Sequence, residues 1–285
     1  MLKLIGGSYS VEISPIRGPP LVIFRSLVAL PFTLLFYYNE GHRGLPKTKQ
    51  HKLEYTRGLF LFLSYTTAMM GLAALPLADI EAIRFSGPLM ITLLSVLMLG
   101  EEVGLRHWVA LMVGFAGVLL IVRPGTTTFN LGSVFILISV LFYALMVIST
   151  RKLHTYDSSA TMAYYSSLVY LVAALVLAPL PAIVGAQPDA HPSIAFLIRT
   201  WSMPTMLDLT IMAGLGLIWA AWIYFLSRAY SLAPASVLAP FEYVALPISI
   251  MWGFLIWQEV PTWLTLAGAL LTLASGLYIF YLQRK

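Results

Sequence analysis

Long apolar segments recur along the whole chain and are separated by short polar connections. Each segment has 18 or more residues, which as a helix is enough to cross roughly 30 Å of hydrocarbon. Segments of about ten residues with alternating polarity, typical of membrane barrels, do not stand out. The pattern therefore predicts an all-α polytopic membrane protein with nine spans, at 20–38, 57–75, 78–99, 105–122, 131–150, 160–184, 207–232, 235–257 and 263–282.

The composition excludes an ordinary soluble domain. Hydrophobic residues make up 59% of the chain and charged residues only 10%, with a mean hydropathy of +0.85. A soluble domain carries about 25% charged residues, because polar side chains must cover its surface. The chain has no cysteine, which excludes disulfides, iron–sulfur ligation and thiol chemistry.

The connections on the two sides of the predicted membrane differ in their lysine and arginine content. One side, with the adjoining helix start at Arg57 included, holds ten of these residues and the other holds four. By the positive-inside rule the richer side is cytoplasmic, so the C-terminus is predicted to lie in the cytoplasm. The net charge of +5 is clustered in these connections, so it indicates the orientation in the membrane. It does not indicate a nucleic-acid partner. The ten are Arg43, Lys47, Lys49, Lys52, Arg57, Arg106, Arg151, Lys152, Arg284 and Lys285.

The second half of the chain repeats the pattern of the first. Pro76 is followed 158 residues later by Pro234, and the same shift matches Glu101 to Glu259. The second copy, 126–285, has five predicted helices, whereas the first, 1–125, has four and lacks the first helix or carries it truncated. An odd number of helices per copy orients the copies oppositely. Such inverted repeats are typical of transporters whose substrate site lies at the repeat interface.

Three segments carry a family resemblance: IFRSLVALP at 23–31, LLSVLMLGEEVGLRHWVALMVGFAGVLLIVRPG at 93–125, and the stretch 227–279. They resemble EamA-type transporters of the drug/metabolite transporter superfamily, most of all the branch that includes bacterial S-adenosylmethionine transporters. The resemblance implies ten helices in two inverted five-helix bundles around a central cavity. It also implies a carrier that works by alternating access in the bacterial inner membrane. The missing first helix is a departure from the family pattern.

Five charged residues fall at least three residues inside the ends of predicted spans, where an unpaired charge costs at least about 2.5 kcal/mol. Arg25, Glu81 and Arg84 are predicted to lie nearer the outer face, and Arg228 and Glu242 nearer the inner face. Arg84 and Glu242 are equivalent in the repeat, with about 11 Å of depth between them. We expect each to face a common cavity from its own side.

Simpler interpretations of these charges remain open. Glu81 and Arg84 are three residues apart and would neutralise each other on one helix face. Arg228 would equally well extend to the membrane surface, and Arg25 would bind backbone carbonyls as readily as a ligand. Glu81 or Glu242 would also suit proton transport, but facilitated exchange needs no titrating group.

Aromatic residues accompany the charges and would suit a planar or cationic solute. They are Tyr65, Phe85, Tyr143, Trp219, Trp222, Phe241 and Tyr243, although any one of them is more often a packing residue. The predicted substrate-binding set is Arg25, Tyr65, Glu81, Arg84, Tyr143, Trp222, Arg228, Glu242 and Tyr243.

The alternatives to a carrier are a membrane-embedded enzyme and a channel. All five histidines fall in connections or at a helix edge, and neither HExxH nor GxSxG occurs. A glycine-rich loop resembling a selectivity filter is also missing. A carrier of a small organic solute is therefore predicted, with the lipid bilayer as surroundings, a homodimer as an option, and neither cofactor nor metal. The substrate and the direction of transport stay open.

Overall fold

The chain folds into apolar helices, as seen in a computed structural model that describes residues 19–75, 80, 83–122, 131–185, 190–198, 205–244, 248, 251, 255 and 263–283. Within these ranges the regular elements are helical, which confirms an all-α polytopic protein. They are α1 Pro19–Asn39, α2 His51–Leu72, α3 Gly87–Leu99, α4 Leu105–Val122, α5 Leu131–Leu153, α6 Ser159–Leu177, α7 Leu180–Val184, α8 Pro192–Ile198, α9 Met206–Leu232, α10 Ala235–Leu238, the 3₁₀ helix Ala239–Val244, and α11 Trp263–Gln283.

Four stretches of the described helices are long and apolar enough to cross a membrane. They are Val22–Asn39, Leu131–Leu153, Ser159–Val184 and Met206–Leu232. Large apolar side chains such as Val176 and Phe225 are more than half exposed, at 69% and 61%. Lipid is as apolar as these side chains, so their exposure fits a protein surrounded by a bilayer.

The predicted spans agree with the helices except where polar residues or prolines intervene. Helix α4 has the predicted bounds 105–122. Helix α2 begins at His51 and not at 57, because the preceding polar residues are also helical. Arg57, which the orientation argument counted at the start of the predicted span, is fully buried one and a half turns inside the helix. The orientation itself stays a prediction.

Prolines interrupt two predicted spans. The span predicted at 160–184 breaks after Leu177, and the short helix α7 follows, since Pro179 and Pro181 donate no backbone hydrogen bond. The span predicted at 235–257 begins as α10 and the 3₁₀ helix. The connection predicted at 185–206 contains α8, which the sequence pattern did not indicate.

Contacts between side chains give the relative directions of the helices. On α2 and α9, Arg57 contacts Ser227 and Tyr65 contacts Trp219, so these two helices are antiparallel. Ser275 of α11 donates to the carbonyl of Ala110, and a Cβ on Gly114 would meet the same serine. Here α4 and α11 pack against each other across the two halves of the chain.

The predicted inverted repeat would match α2 to α9 and α4 to α11. An antiparallel course of α2 and α9 is what the inversion requires, but the repeat and its two-fold axis stay predictions. Several predictions concern positions outside the described residues: Glu81, Glu259, the boundary between residues 125 and 126, and the missing first helix, which concerns residues 1–18.

Candidate functional site

Arg25 lies inside a cage of three aromatic rings. It is buried two turns into α1, with 6% of its surface exposed. Its guanidinium carbon lies 4.0 Å from the ring centroid of Trp219, 4.8 Å from that of Tyr65 and 5.3 Å from that of Tyr170. The rings come from α9, α2 and α6, so the cation holds four helices together. Contacts of a desolvated cation with ring faces stabilise it by about 2 kcal/mol.

A glycine brings two of these helices close enough for the cage to form. Gly216 precedes Trp219 by one turn of α9, and a Cβ at this position would lie 2.8 Å from the carbonyl oxygen of Arg25. The same Cβ would lie 2.8 Å from the Cβ of Val28. Any larger residue would therefore push α9 away from α1.

The cage leaves donors without acceptors. Among the described residues, neither Nε nor Nη2 of Arg25 has a hydrogen-bond partner, and the indole nitrogen of Trp219 also has none. A buried donor without a partner costs about 1–3 kcal/mol, and more when it is charged. The arrangement would be relieved by an anionic group with several acceptor oxygens.

A cavity of about 250 Å³ lies beside the caged arginine. Trp219 stands midway along α9, which places the cavity at about half the depth of the helix bundle. The Trp222 ring lies 5.0 Å from that of Trp219 and is 40% exposed, so it forms an accessible edge of the cavity. The lining residues are Arg25, Tyr65, Leu215, Ile218, Trp219 and Trp222.

Tyr170 completes the cage and was missed by the sequence analysis. It is fully buried, and its hydroxyl donates a 2.8 Å hydrogen bond to the carbonyl oxygen of Leu61. That bond fixes the ring under the guanidinium. A single tyrosine in the apolar run SSLVYLVAAL carries no signal that separates it from packing residues.

Glu242 belongs to a second polar cluster in the 3₁₀ helix. Its Oε1 accepts hydrogen bonds from the hydroxyls of Tyr230, at 2.8 Å, and Tyr143, at 2.9 Å. Its Oε2 lies 3.7 Å from where a Cβ on Gly87 would stand, at the first residue of α3. A carboxylate is favourable at a helix N-terminus, so Glu242 connects the 3₁₀ helix to α3, α5 and α9. Tyr230 was not among the predicted residues.

Arg84 shares the environment of Glu242. Its side chain is exposed, yet it is close enough to interact electrostatically with both Glu242 and Tyr143. The structure thus brings Arg84, Glu242 and Tyr143 into one cluster. The expected neutralisation of Arg84 by Glu81 stays a prediction, because Glu81 lies outside the described residues.

Two predicted residues have no described hydrogen bond to either cluster, although Tyr243 is close enough to interact electrostatically with Glu242. Tyr243 is buried, with its ring 6.0 Å from that of Phe85 and its Cε2 against Gly114 of α4. Arg228 is exposed on α9, and its Nη1 donates a 2.9 Å hydrogen bond to the hydroxyl of Tyr224, one turn earlier. The described contacts of these two residues are packing and surface contacts.

A third buried polar cluster surrounds Arg57, which the sequence analysis placed at the start of a span and did not single out as a site residue. Its Nε donates to Thr150 at 2.7 Å, and its Nη2 donates to Ser227 at 2.6 Å. Its Nη1 donates to Ser166 at 2.5 Å and to the carbonyl oxygen of Met162 at 2.9 Å. These acceptors come from α5, α9 and α6, far apart in sequence, so no local pattern marks them.

Comparison with known proteins finds one family model and several named transporters. The EamA-like transporter family matches residues 9–123. An S-adenosylmethionine uptake transporter of Rickettsia prowazekii is 28% identical over 262 residues, covering 92% of this chain and 81% of that protein. A riboflavin transporter of Vibrio cholerae is 29% identical over 262 residues, covering 90% of this chain and 81% of that protein.

A solved crystal structure shares the fold. It superposes with a TM-score of 0.68 at 16% sequence identity, covering 96% of this chain and 91% of the other. The agreement extends over both halves of the chain, so the helical arrangement described above is that of a known protein fold.

Proposed function

We propose that the substrate of this membrane transporter, which is similar to the EamA-type transporters of the drug/metabolite transporter superfamily, joins a planar ring to a carboxylate. The ring would occupy the cavity between Tyr65 and Trp222, and the carboxylate would bind Arg25. The observation that carries this proposal is the set of donors without acceptors on Arg25 and Trp219.

The chemistry of those donors favours a carboxylate. A guanidinium presents parallel N–H groups that match the two oxygens of a carboxylate, and such charge-assisted pairs are about twice as strong as neutral hydrogen bonds. Burial among rings excludes water, which strengthens the pairing. The faces of Tyr65 and Trp222 offer offset stacking to a flat ring.

S-adenosylmethionine is the first substrate to test. It carries an adenine ring, an amino-acid carboxylate and a sulfonium cation, which an aromatic face would also accommodate. Riboflavin carries a flat ring but no carboxylate, so it would leave Arg25 unpaired. The relative named for S-adenosylmethionine uptake therefore supports the same choice as the cavity.

The cavity is smaller than the whole of this substrate requires. Its volume of about 250 Å³ lies below the roughly 300–1,000 Å³ of most ligand pockets. Binding would therefore open the contacts between α1, α2 and α9 that close the cage. Opening to one side at a time is the motion that alternating access needs.

We infer transport without chemical change, and a cytoplasmic C-terminus. Labelled solute should be recovered unaltered, as mass spectrometry after transport would establish. The natural chain lacks cysteine, so a cysteine introduced at position 285 would report the side of the C-terminus. It should react with a membrane-impermeant thiol reagent only after the cells are opened.

Binding to the purified protein in detergent tests the proposed substrate class. S-adenosylmethionine and its decarboxylated analogue differ by the one group assigned to Arg25. Calorimetric titration should give a Kd about 10–100-fold weaker for the analogue, the range expected for hydrogen bonds to a charged group. Arg25→Gln should bind both compounds with similar weak affinity, whereas Arg106→Gln, an exposed arginine at the start of α4, should bind like the wild type.

Two results would contradict the assignment. One is equal affinity of the wild-type protein for the two compounds. The other is an Arg25→Gln variant that still prefers S-adenosylmethionine over its decarboxylated analogue.

A further inference from the structure

Two acidic side chains meet at the start of α2. Glu54 lies in the first turn of this helix and is fully buried, yet among the described residues neither of its oxygens accepts a hydrogen bond. The side chain of Asp157, in the connection between α5 and α6, lies within hydrogen-bonding reach of it. Asp157 is held in place by the Thr48 hydroxyl, which donates to its Oδ2 at 2.5 Å.

Contact between two carboxyl groups requires a proton. Ionised carboxylates only accept hydrogen bonds, and like charges at this range cannot both remain ionised at low cost. A single proton shared by Glu54 and Asp157 turns the contact into a hydrogen bond. The pair then carries one negative charge, which the neighbouring Arg57 balances.

Arg57 is the only arginine or lysine that interacts with Glu54 among the described residues, and its hydrogen bonds go elsewhere. All three of its nitrogens donate to hydroxyl or carbonyl oxygens of α5, α6 and α9. It therefore ties the start of α2 to three helices. We expect Arg57 to keep its hydrogen bonds to those neutral acceptors only while the carboxyl pair carries a single negative charge.

We propose that Glu54 and Asp157 together bind the proton that drives transport, and that releasing it frees this end of the bundle. Without the proton the buried pair would carry two negative charges, and Arg57 would be drawn from its hydroxyl partners toward them. The helices α5, α6 and α9 would then separate from α2. This inference rests on the proposed carrier function and assigns it a coupling ion.

The surroundings suit a site that loads and unloads near neutral pH. Burial raises the pKa of Glu54 to about 7, opposed by the charge of Arg57 and reinforced by Asp157. Glu54 precedes residue 57, where the apolar span begins. Tyr165 of α6 also interacts with it. The groups that surround Glu54 are therefore one carboxyl group (Asp157), one phenol and one guanidinium.

Proteoliposomes with the membrane potential clamped by valinomycin and equal potassium test the coupling. The probe is labelled S-adenosylmethionine. An inward gradient of one pH unit should raise its accumulation by up to about tenfold for one proton per solute, since one unit is a tenfold ratio of proton activity. Glu54→Gln and Asp157→Asn should retain counterflow at equal pH and lose the response to the gradient. Glu102→Gln, an exposed neighbour of the bundle end, should retain both.

Infrared spectroscopy of the purified protein tests the proton site without any substrate. The carbonyl stretch of a protonated carboxyl should be lost between pH 6 and pH 8 in the wild type, and its loss should be absent in Glu54→Gln and in Asp157→Asn. If the wild-type protein shows no counterflow of S-adenosylmethionine, the proposed substrate is wrong. The pH dependence of the infrared band would still show whether Glu54 and Asp157 share a proton. Accumulation by the wild type that ignores the pH gradient, or an infrared change that survives in both variants, would overturn the inference.

Discussion

The guanidinium carbon of Arg25 on α1 lies 4.0 Å from the centre of the Trp219 ring on α9. These helices belong to different halves of the chain, so the contact joins the halves at about mid-bundle. Its geometry depends on Gly216, where a side chain would collide with the backbone of Arg25. A glycine, a cation and a ring thus define one wall of the cavity.

The close helix contact at Gly216 leads to a prediction for which Gly214, on the same helix, is the control. Gly216→Ala should destabilise the protein by about 1–3 kcal/mol, because the methyl group meets a carbonyl oxygen and Val28 and forces the helices apart. Gly214→Ala, where a Cβ would meet nothing within 4 Å, should stabilise it by about 0.5–1 kcal/mol through helix propensity. Apparent melting temperatures in detergent should shift in opposite directions. Equal shifts would show that α1 and α9 are not in close contact there.

The hydrogen bonds to Glu242 predict a non-additive pair of substitutions. Tyr143→Phe and Tyr230→Phe should each destabilise the protein by about 1–3 kcal/mol, since each removes a donor to the same oxygen. The double variant should lose more than the sum, because the buried oxygen is then left without a tyrosine donor. Tyr156→Phe, at a residue that is 65% exposed, should change nothing measurable. Additive losses in thermal unfolding would argue against a shared acceptor.

Replacing Arg57 alone should strongly destabilise the protein. Arg57→Gln removes the cation that balances Glu54 and Asp157, and a buried charge left without its counter-charge costs about 3–5 kcal/mol. Adding Glu54→Gln to the same chain should restore most of that loss, because the buried negative charge disappears with it. The yield of monodisperse protein and its melting temperature measure the effect. A double variant as unstable as Arg57→Gln would show that the hydroxyl contacts alone carry the stability.

Glu101 predicts a pH-dependent stability. Its carboxylate accepts from the backbone amides of Ala235 and Ser236, at 2.9 and 3.0 Å, and from the Ser236 hydroxyl at 2.5 Å, at the start of α10. Burial tends to raise the pKa of Glu101, but these hydrogen bonds outweigh it and hold the pKa below the ordinary value.

The sign of the effect follows from the lowered pKa. The stability that Glu101 contributes is fully present above the unfolded pKa of about 4.3 and is lost as the pH falls through the folded value. The melting-temperature difference between the wild type and Glu101→Gln should therefore be constant from pH 7 to 5 and shrink below about pH 4. Glu102→Gln should show no such difference. A melting-temperature difference between the wild type and Glu101→Gln that grows below about pH 4 would contradict the lowered pKa.

The helices were largely predictable because lipid-facing segments need length and apolarity, both of which the sequence displays. The start of α2 was not, since HKLEYT is polar and becomes helical through contacts with distant residues. The break after Leu177, at Pro179, and the change to a 3₁₀ helix at Ala239 were also missed. A proline in a membrane helix is compatible with either a kink or an end, and neighbouring helices decide between them.

The sequence predicted some of the charged residues of the site, but fewer of the residues that contact them. Arg25, Tyr65 and Trp222 were expected to contact a solute, and the structure places all three on one cavity. Tyr170 and Tyr230 were missed because a lone tyrosine in an apolar run is normally a packing residue. Arg57 was missed because its acceptors lie between 93 and 170 residues away along the chain.

Counterflow in proteoliposomes tests most directly whether a carboxylate-bearing solute crosses the membrane through the Arg25 cavity. Vesicles loaded with unlabelled S-adenosylmethionine should take up the labelled compound when they contain the wild-type protein or Arg106→Gln. Vesicles with Arg25→Gln should lose at least about tenfold in initial rate, the smallest loss expected when a hydrogen-bonded charge is removed. An Arg25→Gln variant that exchanges at the rate of Arg106→Gln, at equal protein in the membrane, would contradict the assignment of the cavity as the substrate site.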